Sequence, residues 1–176
     1  IFYIYDSGRI SAEDWAKMID GLRGTENDTV ILAQTMDREM VLRGHFDGFY
    51  NYDLVHPRIE DWKDHAKWSR KNKRVFVPSV GPGYIDRRAK HENDRAGVVD
   101  RRDGETYDEM WEAAVESEAE RVSITSFNEW HEGTQIEPAK RKRISGFAYS
   151  YYGKDPWFYI KRTREWVGRY IGPTNQ

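Results

Sequence analysis

Two glutamates three residues apart, Glu129 and Glu132, form the pattern in this sequence that is best suited to chemistry. They lie in the segment Asn128-Glu129-Trp130-His131-Glu132, directly after the β-rich run 121–127. Paired carboxyl groups can act as general acid and general base, which is what cleavage of a glycosidic bond requires. Like charges held close together also raise the pKa of one carboxyl, so one group can stay protonated while the other is ionised. The spacing therefore predicts an acid and a base that face one cavity.

A solvated surface pair is the alternative interpretation of this spacing. Glutamates three residues apart arise often in a chain with 30 acidic residues, and most such pairs are simply hydrated. The position of Glu129 and Glu132 at the end of a predicted strand, beside Asn128 and Trp130, makes a functional pair as well supported as a solvated one, and both interpretations stay open. The indole of Trp130 offers an apolar wall or a face for a sugar ring.

The charge balance and the lack of cysteine exclude several other kinds of site. The 30 Asp and Glu against 28 Lys and Arg give a net charge of −2, whereas general nucleic-acid binding needs an excess of cations, so no nucleic-acid partner is expected. The sequence contains no cysteine, which excludes disulfides, thiolate zinc sites and a cysteine nucleophile. The five histidines lack metal-ligand spacing, and no metal or other cofactor is expected. No apolar run approaches the roughly 18 residues of a membrane span.

Two further motifs have ordinary interpretations. Gly81-Pro82-Gly83 lacks the additional residues of a phosphate-binding loop, and its glycines are predicted to supply unusual backbone angles in a turn. The basic run Lys140-Arg141-Lys142-Arg143 is balanced by acids elsewhere and no ring-rich platform adjoins it, so it is expected to be a solvated loop.

Apolar periodicity predicts short strands that alternate with helices along the whole chain. The predicted strands cover 1–5, 29–33, 47–52, 74–79 and 121–127. Long loops are predicted between Gly83 and Tyr107 and over 128–154, and loops of this length in a compact domain are usually functional or disordered.

The helices are predicted from caps and apolar faces. The first has Ser11 as its N-cap and presents Trp15, Met18, Ile19 and Leu22 on one face. Shorter patterns predict helices over 37–43, from Ile59 and from Tyr107. The last helix is predicted to begin with Asp155 as N-cap and Pro156 as its first residue, with a face of Ile160, Thr163, Val167 and Tyr170.

Five strand–helix units in succession imply a parallel α/β sheet. Two architectures accommodate them, an open doubly wound sheet and the greater part of an eight-unit barrel, which takes about 250 residues. Both architectures bind ligands at the carboxyl ends of their strands. The segment that begins at Asn128 is the most polar and most acidic of the five strand ends.

Two longer motifs carry a resemblance to a known family. Residues 78–86 (Pro-Ser-Val-Gly-Pro-Gly-Tyr-Ile-Asp) and 124–137 (Ile-Thr-Ser-Phe-Asn-Glu-Trp-His-Glu-Gly-Thr-Gln-Ile-Glu) resemble glycoside hydrolase family 99, the endo-α-1,2-mannosidases and endo-α-1,2-mannanases. The stretches 2–7 and 46–50 look like the same family, so the likeness spans essentially the whole chain. The resemblance implies a (β/α)8 TIM barrel. Residues 1–176 would be about five C-terminal βα units of this single catalytic domain.

The resemblance also implies a mechanism and a set of site residues. Glu129, matching the first glutamate of the motif, would be the base for the 2-hydroxyl of mannose, whose oxygen displaces the leaving group to give a 1,2-anhydro sugar. Glu132 would protonate the leaving oxygen and later activate water, with net retention of configuration. Substrate-binding or supporting roles carry over to Tyr84, Asn128, Trp130 and Arg101. The implied partner is an α-mannan or a mannose-rich glycan, without a metal, in the secretory pathway or otherwise outside the cytoplasm.

Two alternatives stay open at this stage. One is a carbohydrate-binding or glycosyltransferase-associated domain of the same fold that does not hydrolyse its ligand, although a binding module has no need for two adjacent acids with Tyr84. The other is an open-sheet sugar- or nucleotide-binding protein, which would require the 176 residues to be a complete domain.

Overall fold

Four parallel strands form the main sheet of the protein in a computed structural model, which describes residues 1–85, 97–144, 147–149, 151–153 and 155–172. They are β1 (Phe2–Ile4), β2 (Ile31–Gln34), β3 (Gly48–Tyr50) and β4 (Val75–Val77), and they lie side by side in chain order. In the register of the sheet Ala33 pairs with Phe49, and Phe49 pairs with Phe76. The first four predicted strands are confirmed, each shorter than its apolar run.

Helices connect these strands, as the alternating pattern predicts. They are α1 (Ala12–Leu22), α2 (Arg38–Arg43) and α3 (Trp62–Lys71). The N-cap prediction for α1 is confirmed, because the Ser11 hydroxyl accepts a hydrogen bond of 3.2 Å from the Asp14 amide. Trp15 and Ile19 are buried as expected, but Met18 is 54% exposed and does not belong to the packed face.

The core beside this sheet is aromatic and contains one histidine. Phe49 on β3 contacts Phe76 at a ring-centroid distance of 5.0 Å and His65 of α3 at 5.4 Å. Burial, together with the positive charge of Arg38, lowers the pKa of His65. His65 is therefore a neutral packing residue behind the strands.

The chain forms two compact units. The first comprises Ile1–Asp53, Pro57–Ser79 and Glu116–Ser123, and it contains the four-stranded sheet with α1 to α3. The second comprises Leu54–His56, Val80–Val115 and Ile124–Gln176.

The remaining strands are short and paired in twos. β5 (Ser79–Val80) pairs with β8 (Ser123–Ile124), β6 (Tyr84–Ile85) pairs antiparallel with β7 (Val98–Val99), and β9 (Arg143–Ile144) pairs antiparallel with β10 (Phe147–Ala148). The predicted strand 74–79 is thus divided into β4 and β5 at Pro78, which has no amide hydrogen to donate. The predicted strand 121–127 is reduced to β8.

The two predicted long loops contain the two antiparallel strand pairs. Part of the first predicted loop, residues 86–96, lies outside the described residues. The sequence prediction missed these strands because two residues are too few to establish an alternating pattern.

Two helices complete the second unit, α4 (Glu105–Glu116) and α5 (Phe158–Ile171), with only Glu116 assigned to the first unit. The predicted start of α5 is wrong, because Trp157 is its N-cap and Asp155 instead accepts a hydrogen bond from the Trp157 amide at 3.0 Å. The predicted face is also displaced by one position, since Tyr159 and Trp166 are the buried residues.

Asp108 on α4 explains why the buried face of α5 differs from the apolar pattern. It accepts hydrogen bonds from Trp166 Nε1 at 2.7 Å and from Arg162 Nε at 2.6 Å. Burial raises the pKa of Asp108, but the donors on Arg162 and Trp166 outweigh this effect and the net shift is downward. These polar anchors orient α5. None of the described helices is long and apolar enough to cross a membrane.

Candidate active site

A twelve-residue stretch that follows β8, residues 126–137, carries both candidate glutamates and is called the acidic loop here. β8 and its extension run beside β5, because the Ser123 amide donates to the Pro78 carbonyl at 3.0 Å and the Thr125 amide to the Val80 carbonyl at 2.9 Å. This advance by two residues on both strands is the pattern of a parallel pair. The acidic loop therefore begins at the carboxyl end of a parallel strand.

The two ends of the acidic loop are tied together through Ser126. Its amide donates to the Thr134 carbonyl at 3.0 Å, its carbonyl accepts from the Ile136 amide at 3.0 Å, and its hydroxyl lies 2.7 Å from the Thr134 hydroxyl. The peptide bond between Thr125 and Ser126 is cis. These hydrogen bonds close the loop, so residues 127–133 are held between two fixed ends.

The backbone of Glu129 is held on both sides. Its amide donates to the Ser126 hydroxyl at 2.9 Å, and its carbonyl accepts from the Thr134 amide at 3.3 Å. Its side chain is exposed. The backbone of Glu129 is thus fixed, and its side chain is accessible from solvent.

Glu132 is connected to the strand that carries Tyr84. Its carbonyl accepts a hydrogen bond of 2.7 Å from the amide of Ile85 in β6, and its side chain is half-buried. Gly133 follows with a φ of 63°, and a Cβ on it would lie 3.3 Å from Ile85. The structure therefore brings the Gly-Pro-Gly-Tyr segment close to the backbone of the second glutamate. The half-buried position of Tyr84 leaves its ring partly accessible.

The two glycines of that segment have different roles. Gly83 has a φ of 150°, and a Cβ on it would approach the Val99 carbonyl oxygen to 2.7 Å. Gly81 does not have a positive φ, so the prediction of an unusual backbone angle is wrong for it. A Cβ on Gly81 would lie 2.6 Å from the Thr125 carbonyl oxygen, so glycine is required there for the close approach of the chain that enters the acidic loop.

Arg101 holds the C-terminal part of the acidic loop in place, and we call its contacts there the brace. Its Nη2 atom donates to the carbonyl oxygens of Gly133 and Gln135, both at 2.8 Å. Its guanidinium carbon also lies 5.2 Å from the ring centroid of Tyr152 and 4.7 Å from that of Tyr159. The contacts of Arg101 are those of a residue that positions the loop.

Tyr152 reinforces this brace. Its hydroxyl lies 2.9 Å from the Gln135 carbonyl and 2.8 Å from the Glu137 carbonyl, and can donate to either. Burial raises the pKa of Tyr152 to about 12, so the hydroxyl keeps its proton and remains a donor at any physiological pH.

Trp130 and Asn128 lie on either side of Glu129 in the chain. Trp130 is half-buried, and its Nε1 donates to Glu137 Oε2 at 2.7 Å, which fixes the orientation of the indole. Asn128 is exposed, and its carbonyl accepts from the Trp130 amide at 2.9 Å. All six predicted site residues therefore belong to the second unit.

Two clefts adjoin this region. One, of about 440 Å³, is lined by Arg101, Tyr152 and Tyr159 among other residues. The other, of about 530 Å³, is lined by Trp130, Lys140, Lys142 and Tyr149 among others. The prediction that the basic run is solvated is confirmed, because residues 140–143 are exposed. The prediction that no rings adjoin it is wrong, because Trp130 and Tyr149 line the same cleft as Lys140 and Lys142. The described residues contain no group of three His, Cys, Asp or Glu side chains that could hold a metal ion.

Comparison with known proteins identifies the family. Residues 1–172 match the family model described as glycosyl hydrolase family 99. The chain belongs to this family. It is 34% identical over 97% of its length to rat glycoprotein endo-alpha-1,2-mannosidase, and 36% identical over 100% of its length to the human glycoprotein endo-alpha-1,2-mannosidase-like protein. The chain spans 40% and 41% of the length of these two relatives.

A solved family 99 structure shares the fold. The chain superposes on the endo-alpha-mannosidase from Bacteroides thetaiotaomicron with a TM-score of 0.90 and 38% identity, covering 97% of this chain and 54% of that one. The predicted fold class is thereby confirmed: this chain has the α/β fold, with parallel strands, of the family 99 TIM-barrel enzymes.

Sequence reasoning missed several residues that support the family 99 motif. Ser126 was detectable, because Ser126 and Glu129 have the serine-x-x-glutamate spacing in which a hydroxyl accepts from an amide three residues later. Tyr152 had no such signal, since its contacts are with carbonyls more than a dozen residues away in the chain.

Proposed function

We propose that this chain is part of a retaining, endo-acting α-mannosidase, an endo-α-1,2-mannosidase or mannanase, and that Glu129 and Glu132 are its catalytic residues. The observation that carries the proposal is the acidic loop. It holds two glutamates by backbone hydrogen bonds at the end of a parallel strand, with one side chain exposed and the other half-buried. The names of the relatives, which are endo-alpha-1,2-mannosidases, support the same bond as the target.

In the first step Glu129 removes the proton from the 2-hydroxyl of the mannose on the non-leaving side. The freed oxygen attacks the anomeric carbon and forms a 1,2-anhydro sugar, while the bond to the leaving oxygen breaks and Glu132 donates its proton to that oxygen. An axial 2-hydroxyl lies anti to an axial α leaving group, so this displacement is in line, and a positioned base supplies what a weakly acidic hydroxyl lacks.

In the second step water opens the anhydro ring. Glu132, now ionised, takes a proton from the water as the water oxygen bonds to the anomeric carbon, and Glu129 returns a proton to the 2-oxygen. Two inversions at the same carbon give net retention. The neighbouring residues have supporting roles: Tyr84 hydrogen-bonds near the reacting sugar, Asn128 and Trp130 border the base, and Arg101 holds the loop.

We also propose that residues 1–176 are the C-terminal part of one (β/α)8 catalytic domain. β1 is an edge strand of the four-stranded sheet, and its Phe2 and Tyr3 are 62% and 45% exposed. An edge strand that leaves apolar side chains in solvent is suited to pairing with a further strand. The carbohydrate partner of this catalytic domain would be an α-mannan or a mannose-rich glycan.

Hydrolysis by the full-length protein tests this function. We expect it to release internal fragments from an α-1,2-linked mannan, with the α anomer formed first in a proton NMR time course. The substitutions Glu129→Gln and Glu132→Gln should each lower kcat/KM by about 10²- to 10⁴-fold, the usual contribution of a general acid or base. Glu112→Gln, which removes an exposed acid on α4, is the matched control and should leave kcat/KM unchanged. Tight glycan binding without turnover would instead favour a binding domain.

A further inference from the structure

The cleft beside Trp130 has a composition that neutral glycan hydrolysis does not require. We call it the lysine cleft, and the described residues that line it are Trp130, Pro138, Lys140, Lys142, Ile144 and Tyr149. Its volume of about 530 Å³ lies within the range of ligand pockets. Trp130, which lines the lysine cleft, is the residue that follows Glu129 in the chain.

One face of an extended segment supplies the lysines. Lys140, Lys142 and Ile144 line the cleft at every second position, which is the alternation of an extended chain. Arg141, between the two lysines, instead places its guanidinium 5.7 Å from the ring centroid of Tyr151. The basic run is therefore divided between two faces, and only its lysines line the cleft.

Two aromatic rings form an apolar corner in the same cleft. Trp130 and Tyr149 are 6.1 Å apart between ring centroids, with an interplanar angle of 78°. The indole N–H is already bonded to Glu137, so the Trp130 ring is held in place and its remaining exposed surface is apolar. Rings in such a corner can pack against the C–H face of a sugar.

The described charged side chains that line the lysine cleft are both cationic, and the nearby Glu137 carboxylate bonds the indole N–H of Trp130. Among the lining residues that the structure describes, two are cationic and none is acidic. Lysine is a compact point charge that binds phosphate and other oxyanions through flexible donors. The two aromatic rings can pack against the C–H face of a sugar, and the two lysines can bind a negatively charged group on that sugar.

We propose that the lysine cleft is a subsite for a sugar residue bearing an oxyanion, either a phosphate ester or a carboxylate. This proposal rests on the proposed function, and it makes an anionic α-mannoside glycan the preferred substrate of the acidic loop.

Binding of monosaccharide probes to the full-length protein tests the subsite without requiring turnover. The probes are methyl α-mannoside, mannose 6-phosphate and mannuronic acid, titrated separately and followed by ligand-observed NMR at pH 7. The double variant Lys140→Gln with Lys142→Gln removes both cleft charges. The matched control, Arg141→Gln with Arg143→Gln, removes two charges from the same run at the alternate positions. Thermal unfolding checks that both variants are folded.

We expect at least one anionic probe to bind about three- to tenfold more tightly than the neutral one, as two partly hydrated ion pairs allow. The preference should disappear in the lysine variant, persist in the arginine variant, and weaken as salt rises from 50 to 500 mM, about a threefold contraction of the screening length. Preference for mannose 6-phosphate alone assigns a phosphate ester, and preference for mannuronic acid alone assigns a carboxylate.

Equal binding of neutral and anionic probes, or no binding of any probe, would overturn the subsite. Equal losses in the lysine and arginine variants would do so too, because they would mean unspecific attraction to the basic run. A protein that binds anionic sugars in this way but hydrolyses neither neutral nor anionic α-mannan would refute the proposed function and leave the subsite intact.

Discussion

Replacement of Arg101 by lysine isolates the brace that we assign to this residue. Lysine keeps the positive charge, but its side chain is shorter and its ammonium is not planar. It therefore cannot hold a donor at the position of Nη2, which bonds Gly133 and Gln135, and also present a flat face to the rings of Tyr152 and Tyr159. The change thus alters geometry while it preserves the net charge of the site.

The magnitude follows from the contacts that are lost. A hydrogen bond from a charged donor contributes about 1.5–3 kcal/mol, and a partly exposed cation–ring contact about 0.5–1 kcal/mol. If lysine loses one of the two hydrogen bonds and one ring contact, Arg101→Lys should lower the free energy of unfolding by about 2–4 kcal/mol. A loop displaced by about 1 Å should also lower kcat by up to about 100-fold.

Kinetics on an α-1,2-mannan and urea unfolding of the full-length protein measure both effects. The brace predicts that kcat falls while KM changes little, because Arg101 acts on the acidic loop. Arg102→Lys is the matched control, since Arg102 is the next residue and its side chain is 45% exposed. A rise in KM with unchanged kcat would refute the brace and make Arg101 a substrate-binding residue, as the family resemblance implies.

Three further outcomes are expected. Gly81→Ala should destabilise the protein by about 1–3 kcal/mol in urea unfolding, because the new Cβ would meet the Thr125 carbonyl oxygen; a neutral effect would contradict that packing. Asp108→Asn should lower the free energy of unfolding by about 1–3 kcal/mol, because its hydrogen bonds to Arg162 and Trp166 become weaker. An unchanged free energy of unfolding would mean that α5 is held by apolar contacts alone. The folded-state pKa of His65 lies below its ordinary 6.5, so the unfolded chain takes up a proton first and stability is lost as pH falls below about 6.5. His65→Gln should flatten this decline in thermal midpoints between pH 7 and 5, and an unaltered decline would assign it to other groups.

The alternation of strands and helices could be predicted from the sequence alone, because it depends on local patterns. β2 to β4 and α3 have apolar side chains at the spacing of their own secondary structure, and these side chains are buried, so local pattern and burial agree. The N-cap at Ser11 was predictable for the same reason, because a cap depends on residues three positions apart.

The sequence failed where contacts between distant residues decide the structure. The buried face of α5 is set by Asp108, about fifty residues earlier in the chain, and not by the apolar period of α5 itself. The pairing of β9 with β10 and the approach of Lys140 and Lys142 to Trp130 likewise depend on the folded loop. For the candidate site, the two motifs supplied the six predicted residues, whose roles stay predictions, but the brace formed by Arg101 and Tyr152 required the structure.

Single-turnover release of fluoride from an α-mannosyl fluoride substrate by the full-length protein tests the roles of the two glutamates most directly. Fluoride leaves without protonation, so Glu132→Gln should release it within about tenfold of the wild-type rate although its hydrolysis of mannan falls by about 10²-fold or more. Glu129→Gln should remain inactive on both substrates, because the 2-hydroxyl still lacks its base. Fluoride release by Glu129→Gln at the wild-type rate, or equal impairment of both variants, would contradict the assignment of Glu129 as base and Glu132 as acid.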